Sequence, residues 1–596
     1  MTRTPLRPLA RILLSRDRGE NPDAIERENL RLRAEAERAR AHASAEGRLL
    51  VLAVALLLAF VVVGVRMGVE AASDPREPNL ALRSGDAILA NRADIVDRQG
   101  RVLATNLATH ALYAQPHQMI DPARAARELA RIFPDEDAER LEARFTREGA
   151  RFVWVRRRLS PEQMQAVHDI GEPGLLFGPR EMRLYPNGRM AAHVLGGASF
   201  GREDVRAAEV IGVAGVERIF DTELRDPAGG GAPLRLSLDL TVQATVTEVL
   251  ERGVNMLSAK GGAAILMEAR TGQILALVSL PDFDPNDRPN PLVEGDPADS
   301  PLFNRAAQGV YELGSVFKAF PVVQAIDRGL VRPDSIIDTR GPLRWGRFRI
   351  TDFRSRGPQQ TVSDIFVHSS NIGTARIAQK MGVEAQREFL GKLGLLEPSP
   401  VELTEAPTAR PLVPRNWSEL SMLTISYGHG LSVSPMHLAA AYAPLVNGGM
   451  TVTPSLVQRP RIPPGEQVIS PATSAAFNEM MRETVVRGTA TMANVEGYRV
   501  GGKTGTADKP RRSGPGYYEG KVIANFVAAW PMPDPEFLLV VALDEPVETS
   551  GREPRRTAGW TAVPVAGEII RRVSPLLGLR PEIAALPADG LSPVRQ

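Results

Sequence analysis

The chain has no cysteine, only seven lysines and almost no net charge, and each scarcity removes a class of explanation. Without thiols there are no disulfides, thiolate zinc sites or cysteine nucleophiles, and the chain is compatible with either side of a membrane. The 72 basic and 70 acidic residues leave a formal +2, so no global field points to nucleic acid, and no nucleic-acid partner is expected. Residues 67–225 show no internal repeat. His193 stands without an accompanying carboxylate or thiol cluster, so neither a metal nor a cofactor is expected.

What is present is ordinary for a folding chain. Hydrophobic residues make up 43% and charged residues 24% of 596 residues, which is too long for one core and implies two or three domains. Residues 49–65, LLVLAVALLLAFVVVGV, form a 17-residue uncharged run between Arg48 and Arg66. That run spans roughly 25 Å as a helix, and Arg66 can snorkel to lengthen it. Because 48 residues precede the run, an uncleaved anchor is expected rather than a cleaved leader. The arginine-rich flank places the N-terminus in the cytoplasm.

The expected organisation is a cytoplasmic segment at 1–48, a transmembrane anchor at 49–66, a non-catalytic elongated α+β domain at 67–232, a catalytic domain at 233–575 and a loose tail at 576–596. The breaker cluster DPAGGGA at 226–232 marks the main boundary. Beyond it, runs such as GGAAILMEA, GQILALVSL, ANFVAAWP and EFLLVVALDE alternate with Ala/Leu-rich helical segments. This predicts a mixed α/β domain with helices around a largely antiparallel sheet.

Three short motifs then fall in order: Ser315-Val316-Phe317-Lys318, Ser369-Ser370-Asn371 and Lys503-Thr504-Gly505-Thr506. A Ser and a Lys three residues apart share one helix face, so a neutral Lys318 can take the proton of Ser315. That needs a lowered amine pKa, which burial and a second cation, Lys503, would favour. Ser369 and Asn371 can bridge the lysines and hold a substrate amide, relaying a proton to the leaving group. The Thr504 and Thr506 hydroxyls can bind a carboxylate, Gly505 lets substrate lie along the backbone, and the N–H groups of Ser315 and Thr506 can form an oxyanion hole. In a chain that otherwise uses Arg, two of seven lysines inside these motifs point to a need for a titratable amine. Tyr427, in Ser426-Tyr427-Gly428-His429-Gly430, can line the cleft or belong to the core.

The three motifs resemble the serine, second-serine and lysine motifs of penicillin-binding proteins and serine β-lactamases. Arg92 to Gly100 followed by Val102-Leu103-Ala104, then Arg183-Leu184-Tyr185-Pro186-Asn187-Gly188 with His193, and Gly215-Val216-Glu217 resemble the N-terminal motifs of class B penicillin-binding proteins. Their charged residues are expected to pair with one another and fix a domain junction. Residues 67–232 are too short for a glycosyltransferase domain and carry none of its motifs.

The resemblance implies a serine D-Ala-D-Ala transpeptidase of the division type, with Ser315, Lys318, Ser369, Asn371 and Lys503 catalytic and Thr504, Gly505, Thr506 and Tyr427 binding substrate. It implies peptidoglycan stem peptides on lipid-linked nascent glycan as substrate and β-lactams as inhibitors. An FtsW-type glycosyltransferase and other divisome membrane proteins are the implied partners, at the inner membrane with a periplasmic catalytic domain. An elongation-type enzyme, a β-lactam hydrolase or sensor, and an idle scaffold are the alternatives.

Overall fold

The computed structural model describes residues 13–19, 31, 35, 52–64, 92–203, 208–346, 348–511 and 516–582. Most of the expected cytoplasmic helix at 24–47, both ends of the expected anchor and the tail beyond 582 lie outside the described residues. Residues 52–64 are helical with every side chain exposed. Among the described residues no helix is long and apolar enough to cross a membrane.

The chain divides into two compact units, the smaller including residues 112–156 and 161–176. Its helices Pro122–Ile132 and Ala138–Phe145 start where Asp121 and Asp137 accept the backbone N–H groups of Arg124 and Arg140, as N-caps should. They bury Ala125, Leu129, Leu141 and Phe145. The Tyr113 ring stacks on Phe152 at 5.1 Å.

The larger unit holds residues 82–111, 157–160 and 177–596. Near its start, Glu217 is fully buried and accepts from Arg92 at 2.6 Å and Arg183 at 2.7 Å. The Tyr185 hydroxyl donates to the same carboxylate at 3.3 Å. The three N-terminal motifs therefore converge on one compensated buried charge, whose loss would strand two guanidinium groups. Asp97 accepts from the backbone of Gln99, Arg101 and Leu240 and from the Arg101 side chain. Burial raises its pKa, but these bonds outweigh burial and hold it below the usual carboxylate range. The Leu240 contact ties the first motif to the start of the catalytic region.

That region is built on a five-stranded antiparallel sheet, in the spatial order Gly501–Pro510, Tyr517–Trp530, Phe537–Asp544, Gly261–Glu268, Ile274–Leu280. The strands read as continuous apolar runs because both faces are covered. Ala264, Leu266, Phe526, Leu539 and Val541 face the helices Leu240–Met256 and Ala562–Leu576. The alternate residues Ala263, Ile265, Val527, Leu538 and Val540 face a second core containing Phe317, Phe320, Tyr442 and Phe477. Asp239 caps Leu240–Met256, and the buried Gln243 amide pins that helix to the sheet by exchanging two bonds with Leu277, at 2.8 and 2.9 Å. The strand carrying Lys503 is an edge strand, paired within the sheet only with Tyr517–Trp530 among the described residues.

Candidate active site

Ser315 and Lys318 lie on one 3-10 turn, Gly314–Lys318, which continues into the helix Ala319–Asp327. At three residues per turn, positions i and i+3 eclipse, so the hydroxyl and the amine stack more directly than on an α-helix. The turn is locked by close backbone approach. Gly314 has φ +62°, and a Cβ there would sit 2.4 Å from the Thr506 carbonyl oxygen. A Cβ on Gly428 would sit 1.9 Å from the Gly314 carbonyl oxygen. The Asn525 amide donates to the Leu313 carbonyl at 2.8 Å. The missing side chain of Gly505 is filled by that same Leu313 carbonyl and by Asn525, so Gly505 admits the chain before the serine rather than opening room for substrate.

Lys318 is completely buried, and its Nζ donates to the Ser369 carbonyl at 2.6 Å and to Ser369 Oγ at 3.0 Å. Burial holds its pKa well below the ordinary lysine value, and Lys503 pushes it the same way while Asp352 opposes. Lys503 is also completely buried, its Nζ has no hydrogen-bond partner among the described residues, and it lies 5.4 Å from the Phe366 ring centroid. Burial pushes its pKa down to about 7. Lys318 is thus held toward the neutral amine and Lys503 is poised between ammonium and amine near neutral pH, by a site that withholds carboxylates from Lys503 and sets only Asp352 against Lys318.

The second motif is held in a strained turn. Ser369 has φ +62°, a conformation few non-glycine residues adopt and one that clusters at functional sites. Ser370 caps the helix Asn371–Gln379 by accepting from Gly373 N at 3.0 Å, and donates to Asp352 at 2.7 Å. The other Asp352 oxygen accepts from Ile372 N at 3.0 Å. Asn371 donates to the Thr351 carbonyl at 2.9 Å and does not bridge the lysines; Ser369 alone reaches Lys318. Asp352 is the site residue that sequence reasoning missed. It lies 18 positions before Ser370 in a loop, and no local pattern marks it.

The Thr504 hydroxyl lies 2.7 Å from that of Thr489. The Thr506 hydroxyl accepts from Ala558 N at 2.9 Å, which leaves its proton free to donate. Tyr427 is half-buried and packs beside the cluster of Ile350, Ile372 and Leu423, while its ring lies 5.5 Å from that of His429. His193 is a core histidine: its ring nitrogen lies 3.3 Å from the Pro281 carbonyl, and burial pushes its pKa down to about 4. No cluster able to hold a metal occurs among the described residues.

Residues 262–570 match the penicillin binding protein transpeptidase domain and residues 87–231 match the penicillin-binding protein dimerisation domain. The chain is 36% identical to the probable peptidoglycan D,D-transpeptidase FtsI of Caulobacter vibrioides, over 82% of each chain. It is 27% identical to peptidoglycan D,D-transpeptidase FtsI of Escherichia coli K12, over 85% of this chain and 88% of that one. Among solved structures, the transpeptidase domain of Burkholderia pseudomallei penicillin-binding protein 3 is 32% identical with TM-score 0.52, covering 59% of this chain and 98% of that one. Penicillin binding protein 3 of Mycobacterium tuberculosis complexed with aztreonam shares the fold, at TM-score 0.61 and 24% identity, over 81% of this chain and 96% of that one.

Proposed function

Because the chain belongs to the penicillin-binding protein transpeptidase family, we propose that it cross-links peptidoglycan stem peptides at the division septum through an acyl-enzyme on Ser315. The observation that carries this reading is Lys318. A buried amine, kept short of its proton and held by Ser369, stands one 3-10 turn from a serine hydroxyl.

The neutral Lys318 takes the Ser315 proton as Oγ attacks the carbonyl between the two terminal D-alanines of a donor stem. The Ser315 and Thr506 N–H groups receive the developing oxyanion. Lys503 and the threonine hydroxyls of its strand hold the terminal carboxylate. The departing D-alanine takes its proton back from Lys318 through Ser369, leaving the donor acylated on Ser315 until an acceptor amine attacks. A β-lactam enters the same path and stays, since its leaving amine remains tethered.

Intact-mass analysis after penicillin treatment is expected to show one adduct on the wild-type chain and none on Ser315→Ala. An adduct persisting on the variant would end the assignment.

The chain is anchored in the inner membrane by residues 49–66, with its catalytic region in the periplasm and an FtsW-type glycosyltransferase as polymerising partner. The uncharged run between Arg48 and Arg66, and the exposed apolar faces of residues 52–64, support this. A fluorescent fusion to the N-terminus should collect at mid-cell; an even side-wall signal would move the chain to elongation.

A further inference from the structure

Transpeptidation on Ser315, taken as the premise here, leaves one proton without a home. The departing D-alanine needs a single proton, which Lys318 carries from Ser315. The acceptor arrives as an alkylammonium, because such amines titrate near ~10. It must lose one proton before it can attack and a second after the C–N bond forms. The second loss retraces the leaving-group step through Ser369 and Lys318. The first has no acceptor in that set.

Beside the nucleophile turn lies a group that fits. His429 follows Gly428, the residue packed against the Gly314 carbonyl. Its ring sits 5.5 Å from Tyr427 and 6.3 Å from Tyr517. Its Nδ1 is buried without a hydrogen-bond partner among the described residues, an orphaned polar atom that its ring contacts do not satisfy. Glu312, three residues before Ser315, is fixed by Gly430 N at 2.7 Å and the Tyr517 hydroxyl at 3.0 Å.

We propose that His429 is the base that deprotonates the acceptor ammonium, in a subsite walled by the Tyr427 and Tyr517 rings and rimmed by the Glu312 and Asp508 carboxylates. Aromatic faces and carboxylates both attract an ammonium before it is neutralised. The proton passes from the ammonium nitrogen to the imidazole. The free amine then attacks the acyl carbonyl, the C–N bond forms, and the bond to Ser315 Oγ breaks. The proton left on nitrogen returns through Lys318 to Ser315, and the imidazolium gives its own to solvent.

The charged and titratable groups bearing on His429 are Glu312, Asp508, Lys318 and the two tyrosines. Burial lowers the imidazole pKa and Lys318 lowers it further, against Glu312 and Asp508. The ring is therefore neutral, and able to accept, from below the ordinary histidine range upward.

The test uses the full chain in detergent with a D-alanyl thioester donor and D-alanine as the amine probe, scoring aminolysis against hydrolysis of the acyl-enzyme. His429→Gln is expected to lower the aminolysis-to-hydrolysis ratio on the order of 10²-fold, the usual scale for a lost general base, and to remove the acid limb of the aminolysis pH profile. Penicillin labelling of Ser315 in the same preparation reports separately on the acyl-enzyme premise and on folding. An unchanged ratio overturns the proposal. So does an equal fall in labelling, hydrolysis and aminolysis, the pattern of a purely structural residue. Should His429→Gln fail to fold, Glu312→Gln is expected to raise the KM for D-alanine several-fold with hydrolysis less affected, and an unmoved KM counts against the subsite.

Discussion

Lys318→Arg is expected to lose penicillin acylation by about 10³-fold or more while keeping its positive charge. The wild-type amine is completely buried beside a second buried lysine, and its bonds go to the Ser369 carbonyl and hydroxyl. Those surroundings favour a neutral amine, which can take a proton from Ser315. A guanidinium stays protonated at any workable pH, so the variant has charge without basicity. Stopped-flow acylation should rise with pH through the lowered lysine range in the wild type and stay flat in the arginine variant. Lys318→Met serves as the control for crowding, since it has no charge and roughly the original length. It should be equally slow while retaining the thermal transition. Near-normal labelling of the arginine variant would refute the general-base role.

Much of this site was legible because its chemistry is local. The spacing of Ser315 and Lys318 requires one helical face, and the structure sharpens that to a 3-10 turn. The apolar runs at residues 261–268, 523–530 and 537–544, set between helical segments, foretell a sheet with helices around it, and burial on both faces makes each strand read as a continuous run. Scarce lysine pointed to Lys318 and Lys503, and both are buried amines.

What was not legible depends on contacts between distant segments. Asp352 becomes meaningful only where the loop before Ser370 folds back on it. The placement of Gly505 against the Leu313 carbonyl follows from the packing of an edge strand on the nucleophile turn, which no pattern within either segment specifies. Asn371, by residue type, could have reached either lysine; its amide is taken by the Thr351 carbonyl instead.

A site that strips protons from buried lysines must cost stability, and Lys503→Met should recover part of it. The amine titrates at about 7 in the fold and near ~10.4 when unfolded. Between those values the unfolded chain binds more protons than the folded one, so stability rises with pH from about 7 toward 10. At pH 7 the penalty is at most about 4 kcal/mol, from three pH units of mismatch at ~1.4 kcal/mol each. Methionine keeps the stem against the Phe366 ring and removes the orphaned ammonium. Its thermal transition should lie roughly 4–8 °C above wild type at pH 7, discounting for relaxation and water entry. The gap should close near pH 10, where the wild-type lysine is neutral in both states. Acylation should be nearly abolished in the same variant, because the carboxylate of the donor loses its cation and Lys318 loses the neighbour that helps keep it neutral. Calorimetry across pH decides the matter. A variant no more stable than wild type at pH 7, or a gap that stays constant up to pH 10, would show that Lys503 carries no buried-charge penalty.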